Sequence, residues 1–270
     1  MSAWNFVQIK NAALLCLAGF SALSVLAAAQ DAAADHIPPP APAPAQPMPD
    51  MSASHMADVM QMHDDAAFGM FKLDQFEHAI GNSAAAWEVE AWYGRDFDMA
   101  WLRSEGEHEN GRTDARTELF WDHAYSSFWD WQLGARHDSG VGPTRDWAAF
   151  GVQGLAPYWI ELEATAYVGE QGRSAVRLRA EYELLFTQRL ILQPEAELNF
   201  YGENDPRREI GSGLSDATFG LRLRYEIRRE FAPYIGVVWK HRFGTTADFV
   251  RAAGHTTTDT QIVAGVRVWF

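Results

Sequence analysis

Sulfur and imidazole side chains crowd together near the N-terminus of this chain of 270 residues. They are Met51, His55, Met56, Met60, Met62 and His63. Thioether sulfur is a soft, uncharged ligand that selects Cu(I), whereas imidazole binds either oxidation state of copper. Thioethers also need no deprotonation before they bind a metal. A flexible segment of this composition could wrap a copper ion with several of these donors, with Cu(I) favoured and Cu(II) also accepted.

The same composition has two other interpretations. A Met-rich segment can dock as an apolar patch on the mouth of the domain that follows it, because methionine packs adaptably on irregular surfaces. It can also be a plain linker. The residues alone leave all three interpretations open.

Residues 1–29 have the pattern of a secretory signal peptide. Lys10 supplies the positive charge, an apolar stretch runs from Ala12 to Leu26, and small residues follow before Gln30. The only cysteine of the chain, Cys16, lies inside this apolar stretch. After cleavage the protein would therefore have neither disulfides nor thiolate metal sites, which leaves methionine and histidine as its soft donors.

Residues 30–70 form a second segment, which we call the leader. Its first part, 31–50, is rich in alanine and proline and predicts an extended tether, because proline fits neither a helix interior nor a central strand. The Met/His segment follows it. We therefore expect a flexible leader whose metal donors are free to converge on one ion.

The overall charge and hydropathy exclude two classes of protein. The chain has 22 Lys+Arg against 36 Asp+Glu, a formal net charge of −14, whereas a nucleic-acid-binding protein needs a basic surface. The mean hydropathy is −0.25, and no apolar stretch after the signal peptide is long enough for a transmembrane helix. Nucleic acid is therefore excluded as a partner, and a helical membrane bundle is excluded as a fold.

Residues 71–270 alternate between apolar and polar side chains over long stretches. In one of them, Val176, Leu178 and Ala180 interleave with Arg177 and Arg179. Other clear examples are 158–169, 190–202 and 215–227. Strand geometry gives each stretch one apolar face and one charged face. A soluble sandwich also alternates, but these stretches are about twice the usual strand length and are long enough to cross a bilayer at a tilt.

The joins between the predicted strands support a membrane barrel. Short joins alternate with longer ones, of which 203–214 and 243–259 are the longest. Outer-membrane barrels have short periplasmic turns and longer external loops. We therefore predict an all-β fold, a closed antiparallel transmembrane barrel of about 12 strands with the leader and both termini in the periplasm. The first stretch, 71–80, alternates poorly. A barrel of ten strands is therefore the alternative prediction.

Several long strings resemble the copper-resistance protein B family. They are Trp147–Tyr158, Leu190–Pro194, Gly211–Asp216, Leu221–Gly236 and Asp259–Phe270. The resemblance covers essentially all of 70–270. The leader has fewer Met/His units than the richest members of the family, so the resemblance leaves the affinity and stoichiometry of metal binding open.

The resemblance implies a bacterial outer-membrane protein of periplasmic copper resistance and homeostasis. Copper is then the implied metal, held for sequestration or for passage outward. Its implied ligands are Met51, His55, Met56, Met60, Met62 and His63. Phe270 ends an alternating last strand, which resembles the signal read by the barrel-assembly machinery. The expected partners are therefore this machinery, outer-membrane lipid and a periplasmic copper oxidase. The direction of copper movement does not follow from the sequence.

The sequence also offers other candidate residues and functions. His108 and His241 are secondary candidates for metal contacts, although a barrel histidine is more often a hydrogen-bond partner than a ligand. A porin or adhesion barrel without metal is the alternative function. A lipid-modifying hydrolase using Ser126, Ser127 and His123 is a distant third, because no G-x-S-x-G motif is present. We therefore expect no catalytic residues and no enzymatic activity.

Overall fold

The computed structural model describes residues 66–81, 83–109 and 111–270. Within these ranges the chain forms twelve barrel strands and one α-helix. The strands are β1 Phe68–Ala79, β2 Ala85–Gly94, β3 Asp98–Glu109, β4 Arg112–Ala124, β5 Trp129–Ser139, β6 Arg145–Ala156, β7 Ile160–Gly169, β8 Ser174–Glu181 continued by Leu184–Leu185, β9 Leu190–Tyr201, β10 Gly213–Tyr225, β11 Phe231–Arg242 and β12 Thr258–Trp269. The helix, α1, is Gly244–Ala252, and 3₁₀ turns lie at Pro157–Trp159 and Glu170–Gly172.

The sheet closes on itself. Each strand pairs antiparallel with its neighbours in the chain, and β1 also pairs with β12, with Lys72 opposite Trp269 and His78 opposite Ala264. Closure leaves no strand edge, so the backbone groups of the sheet are paired within it, as a bilayer requires. The predicted closed antiparallel barrel of twelve strands is confirmed, and the ten-strand alternative is wrong.

A bulge explains why the first stretch alternates poorly. The register of β1 against β2 shifts between Leu73 and Gln75. As a result, the consecutive residues Asp74 and Gln75 both point inward and are buried. A strict period of two fails at this position, although the segment is a strand that begins at Phe68.

The two faces of the barrel have opposite chemistry. Large apolar side chains are exposed on the outer face along the middle of the strands, as at Leu119, Leu133, Phe150, Ile235 and Ile262. Charged side chains are buried on the inner face. The described part of the chain contains no helix long and apolar enough to span a membrane.

The two ends of the barrel also differ. We call the end at which β1 begins the leader end, because the leader joins the barrel there, and the opposite end the loop end. Tyrosine and tryptophan side chains are exposed around the leader end, as at Tyr93, Tyr125, Tyr158, Trp159 and Tyr225. Such a belt is typical of the membrane–water interface.

The loop end carries the long joins, 202–212 and 243–257. The second join contains α1, which the alternation pattern did not predict. Thr246, Ala247 and Val250 of α1 are buried, and Thr246 Oγ1 accepts a hydrogen bond of 2.8 Å from the Gly211 amide. The helix therefore fastens the two long loops to each other.

Candidate functional site

The predicted copper ligands of the leader lie outside the described residues. They are Met51, His55, Met56, Met60, Met62 and His63. Their role stays a prediction. The described chain begins at position 66, two residues before β1. The leader is therefore continuous in sequence with β1, a strand of the barrel wall.

The secondary candidates, His108 and His241, lie on the outer face of the barrel and far apart in the strand order. His108 Nδ1 lies 2.7 Å from Thr113 Oγ1 at the loop end of β3. His241 on β11 stacks on Trp239, and its Nδ1 lies 2.6 Å from Thr258 Oγ1. Within the described ranges, no group of three or more His, Cys, Asp or Glu side chains has the geometry of a metal site.

The residues of the hydrolase alternative make local contacts. His123 Nδ1 lies 2.9 Å from Asp98 Oδ1, on the outer face near the leader end. The Ser126 hydroxyl accepts hydrogen bonds from the amides of Phe128 and Trp129 and thereby shapes the turn. The imidazole and the hydroxyl therefore serve local structure.

Inside the barrel, arginines reach across the lumen to carboxylates on distant strands. Arg103 on β3 forms two hydrogen bonds, of 2.9 and 3.0 Å, with Glu163 on β7. Arg179 on β8 pairs through two nitrogens with Glu88 on β2, which is six strands away. A barrel of twelve strands has no greater separation around its wall, so this pair spans the width of the lumen.

The network continues toward the loop end. Arg177 Nη2 donates hydrogen bonds of 2.8 Å to both Glu105 and Glu197. Arg116 also pairs with Glu105, and the Tyr167 hydroxyl donates to Glu118 at 2.6 Å. These side chains belong to β3, β4, β7, β8 and β9, so the contacts join much of the barrel wall.

The network also continues toward the leader end. Asp74 on β1 lies 2.8 Å from Lys72 Nζ and 2.9 Å from Arg267 Nε. Glu183 Oε1 lies 2.7 Å from Arg224 Nη2 and 3.2 Å from Arg267 Nη1. In the turn after β10, partial burial raises the pKa of the Glu226 carboxyl, and the nearby Glu183 carboxylate raises it further.

Carboxylates outnumber cations in this lumenal network. The cations are Lys72, Arg103, Arg116, Arg136, Arg177, Arg179, Arg222, Arg224 and Arg267. The carboxylates are Asp74, Glu77, Glu88, Glu90, Glu105, Glu118, Asp122, Asp138, Glu161, Glu163, Glu181, Glu183, Glu195 and Glu197. The arginines thus pair with carboxylates along the lumen, and the carboxylates are in excess.

The network also fills the lumen. Arg103, Glu118 and Arg177 are at most 3% exposed although they face the inside of the barrel. A narrow barrel is filled by its own side chains. The arrangement is therefore that of a plugged barrel.

The barrel sequence matches a family of known proteins. The family model described as copper resistance protein B precursor matches residues 67–270. A copper resistance protein B homolog of Pseudomonas syringae pv. tomato is 50% identical over 213 residues, which cover 78% of this chain and 72% of the relative. Copper resistance protein B of Escherichia coli is 46% identical over 212 residues, which cover 77% of this chain and 72% of the relative.

Solved structures of other barrels are similar in outline. A KdgM porin is 12% identical, with a TM-score of 0.47, and the match covers 75% of this chain and 99% of that one. A NanC porin is also 12% identical, with a TM-score of 0.49, and the match covers 74% of this chain and 99% of that one. The barrel assignment itself rests on the strand pairing of this chain.

Proposed function

Since this chain belongs to the copper-resistance protein B family, with a role in copper resistance at the outer membrane, we propose that it binds copper through the Met/His segment of its leader. The proposed ligands are Met56, Met60 and Met62 with His55 and His63. Met51 is an alternative ligand. Family membership carries the proposal. The donor chemistry supports it, because thioethers and imidazoles are the only soft ligands left after signal-peptide cleavage.

The lumen supports a second part of the proposal. Copper ions are cations, and the network that fills the barrel has more carboxylates than cationic side chains. The leader is continuous in sequence with β1, whose first residue, Phe68, lies at the leader end of this acidic lumen. We propose that the leader sequesters copper and that the protein passes it outward through the lumen when the plug rearranges.

We propose that the leader lies in the periplasm. Short turns join the strands at the leader end and long loops join them at the other, which is the usual arrangement of periplasmic and external sides. In the periplasm the leader can receive copper from the soluble pool and hand it to a copper oxidase. Outer-membrane lipid and the barrel-assembly machinery are the other proposed partners.

A porin without a metal ligand is less well supported. Open porins need a wide aqueous lumen, whereas the Arg179–Glu88 and Arg103–Glu163 pairs cross this one. A porin function would therefore show as a large conductance that copper does not change.

The leader is tested by replacing Met56, Met60 and Met62 with leucine. Leucine nearly conserves volume and hydrophobicity, so the barrel should assemble as before. We expect the purified full chain to lose Cu(I) stoichiometry and the cells to lose growth in high copper. Met48→Leu in the tether is the matched control. Full Cu(I) binding by the triple variant would show that the leader is only a linker.

A further inference from the structure

The barrel contains two methionines, and both point into the lumen near the same end. Within the described residues the methionines are Met70 on β1 and Met99 on β3. Met99 is 5% exposed, and Met70 is partly buried against the same cluster of lumenal side chains. Both lie near the leader end, because β1 starts at Phe68 and β3 starts at Asp98.

Two tryptophans neighbour these methionines, Trp92 on the intervening strand β2 and Trp101 on β3. Met70 is directly opposite Trp92 in the β1–β2 register, and Trp92 is directly opposite Trp101 in the β2–β3 register. Met99 lies two positions before Trp101, on the same face, and is opposite Gly94. Residues on adjacent strands with this spacing contact each other directly or diagonally. We call Met70, Trp92, Met99 and Trp101 the soft-donor patch.

Gly94 makes room for the Met99 side chain. A Cβ atom built at position 94 would lie 3.0 Å from Met99 Cγ and 2.2 Å from the Asp98 carbonyl oxygen. Any larger residue would therefore displace Met99. The glycine lets the thioether lie against the wall of the lumen beside Trp92.

Polar groups in and beside the patch lack partners. The indole N–H groups of Trp92 and Trp101 are buried and have no hydrogen-bond acceptor. Asp122, directly opposite Met99 in the β3–β4 register, is fully buried. Its Oδ2 accepts hydrogen bonds of 2.9 Å from Gln132 and 2.8 Å from Gln153, whereas its Oδ1 has no hydrogen-bond partner.

An unpaired carboxylate oxygen in such a place is costly unless a cation approaches it. The neighbouring side chains supply the other interactions that a soft cation needs. Thioether sulfur selects Cu(I) among copper states, and the face of an indole ring attracts a cation. None of the strand histidines in the described ranges faces the lumen here, so sulfur is the soft donor that the wall offers.

We propose that the soft-donor patch binds a soft monovalent cation. The sulfur atoms of Met70 and Met99 are its ligands, the indole faces of Trp92 and Trp101 cover it, and Asp122 supplies the compensating charge. The choice of Cu(I) as the natural cation rests on the proposed function. The patch then acts as an acceptor for this cation inside the barrel.

The test uses the full mature chain in detergent and Ag(I) as a redox-stable soft cation. Bound silver is counted, and tryptophan emission is recorded during the titration. We expect Ag(I) to change the emission of the wild type and Met70→Leu/Met99→Leu to abolish that change, with at least tenfold weaker binding at this site. Trp92→Phe/Trp101→Phe should remove the emission change while silver still binds. Met48→Leu should behave as the wild type does.

The silver titration distinguishes binding by the leader from binding by the soft-donor patch. If Met56→Leu/Met60→Leu/Met62→Leu loses silver but keeps the emission change, the patch binds on its own. If Met70→Leu/Met99→Leu keeps both the emission change and the silver count, the patch is overturned, whatever the leader does. A wild type whose emission does not respond also overturns it.

A second variant guards against misfolding of the double leucine variant. Asp122→Asn keeps the shape of the side chain and removes its charge. Heat-modifiable gel mobility reports whether each variant has folded. We expect Asp122→Asn to fold and to weaken the silver-dependent emission change by several fold, and an unchanged titration would contradict the role of Asp122.

Discussion

Arg179 and Glu88 form a two-point ion pair across the width of the lumen, from β8 to the opposite strand β2. Both side chains are at most 7% exposed. Arg179 also lies 3.1 Å from Glu195 on β9, so the pair joins three strands. The pair is thus both a structural cross-link and part of the plug.

Removing one partner of this pair should strongly destabilise the barrel. We expect Glu88→Gln to lower the free energy of unfolding by about 3–5 kcal/mol, because it leaves the Arg179 charge buried with one carboxylate fewer. Unfolding by urea in lipid vesicles measures this loss. The matched control is Arg251→Gln on α1, which breaks an exposed pair with Asp248 and should cost about 0–1 kcal/mol. Equal losses at the two sites would mean that the lumenal pair is hydrated.

The plug predicts a low conductance. In planar bilayers we expect the wild type to show small conductance steps, because Arg177 and Arg179 reach across the lumen. Arg177→Ser/Arg179→Ser should increase the conductance several fold and strengthen the preference for cations, since it removes volume and positive charge together. Large steps in the wild type, unchanged in the variant, would instead favour an open porin.

The outer face predicts a depth-dependent cost of charge. Leu221 is exposed near the middle of β10, whereas Tyr225 ends that strand at the leader end. Leu221→Arg should cost about 2–4 kcal/mol and Tyr225→Arg about 0–1 kcal/mol, because lipid penalises charge most at the bilayer midplane. The measurement is again urea unfolding in vesicles. A larger cost at Tyr225 would show that the membrane band has been misplaced.

The orientation of the barrel is tested by two epitope tags. Gly254 follows α1 in the longest loop, is exposed and has a φ of 81°, so an insertion there disturbs no strand. A tag at this position should bind antibody on intact cells. A tag in the tether, within 31–50, should bind antibody only after the outer membrane is permeabilised. The reverse result would place the leader outside the cell.

The alternation of residues predicts most of the barrel but not all of its details. The alternation of apolar and charged residues was sufficient for the strands and for closure, because a chain with one apolar face per strand has few ways to satisfy its backbone in lipid. It failed at Asp74 and Gln75, where a bulge turns consecutive residues inward. It also missed α1, since a short helix in a loop leaves no mark on a period of two.

Alternation assigns a residue to a face but does not choose its partner. It suggests that a charge swap at lumenal Arg222 would be milder than a charge on the lipid face. In the structure, however, Arg222 bonds Glu77 at 2.9 Å and Glu195 at 2.7 Å, so a carboxylate there would meet two others. We expect that charge swap at Arg222 to be among the costly substitutions.

The sequence by itself determined the strands, their two faces and the family, because each of these depends on residue type and local spacing, and it predicts the Met/His donors of the leader. Only the tertiary structure decided which arginine meets which carboxylate and that Met70 and Met99 share one end of the lumen. Pairs such as Arg179 and Glu88 are 91 residues apart in the chain. Their meeting depends on barrel closure and strand register, which no local pattern encodes.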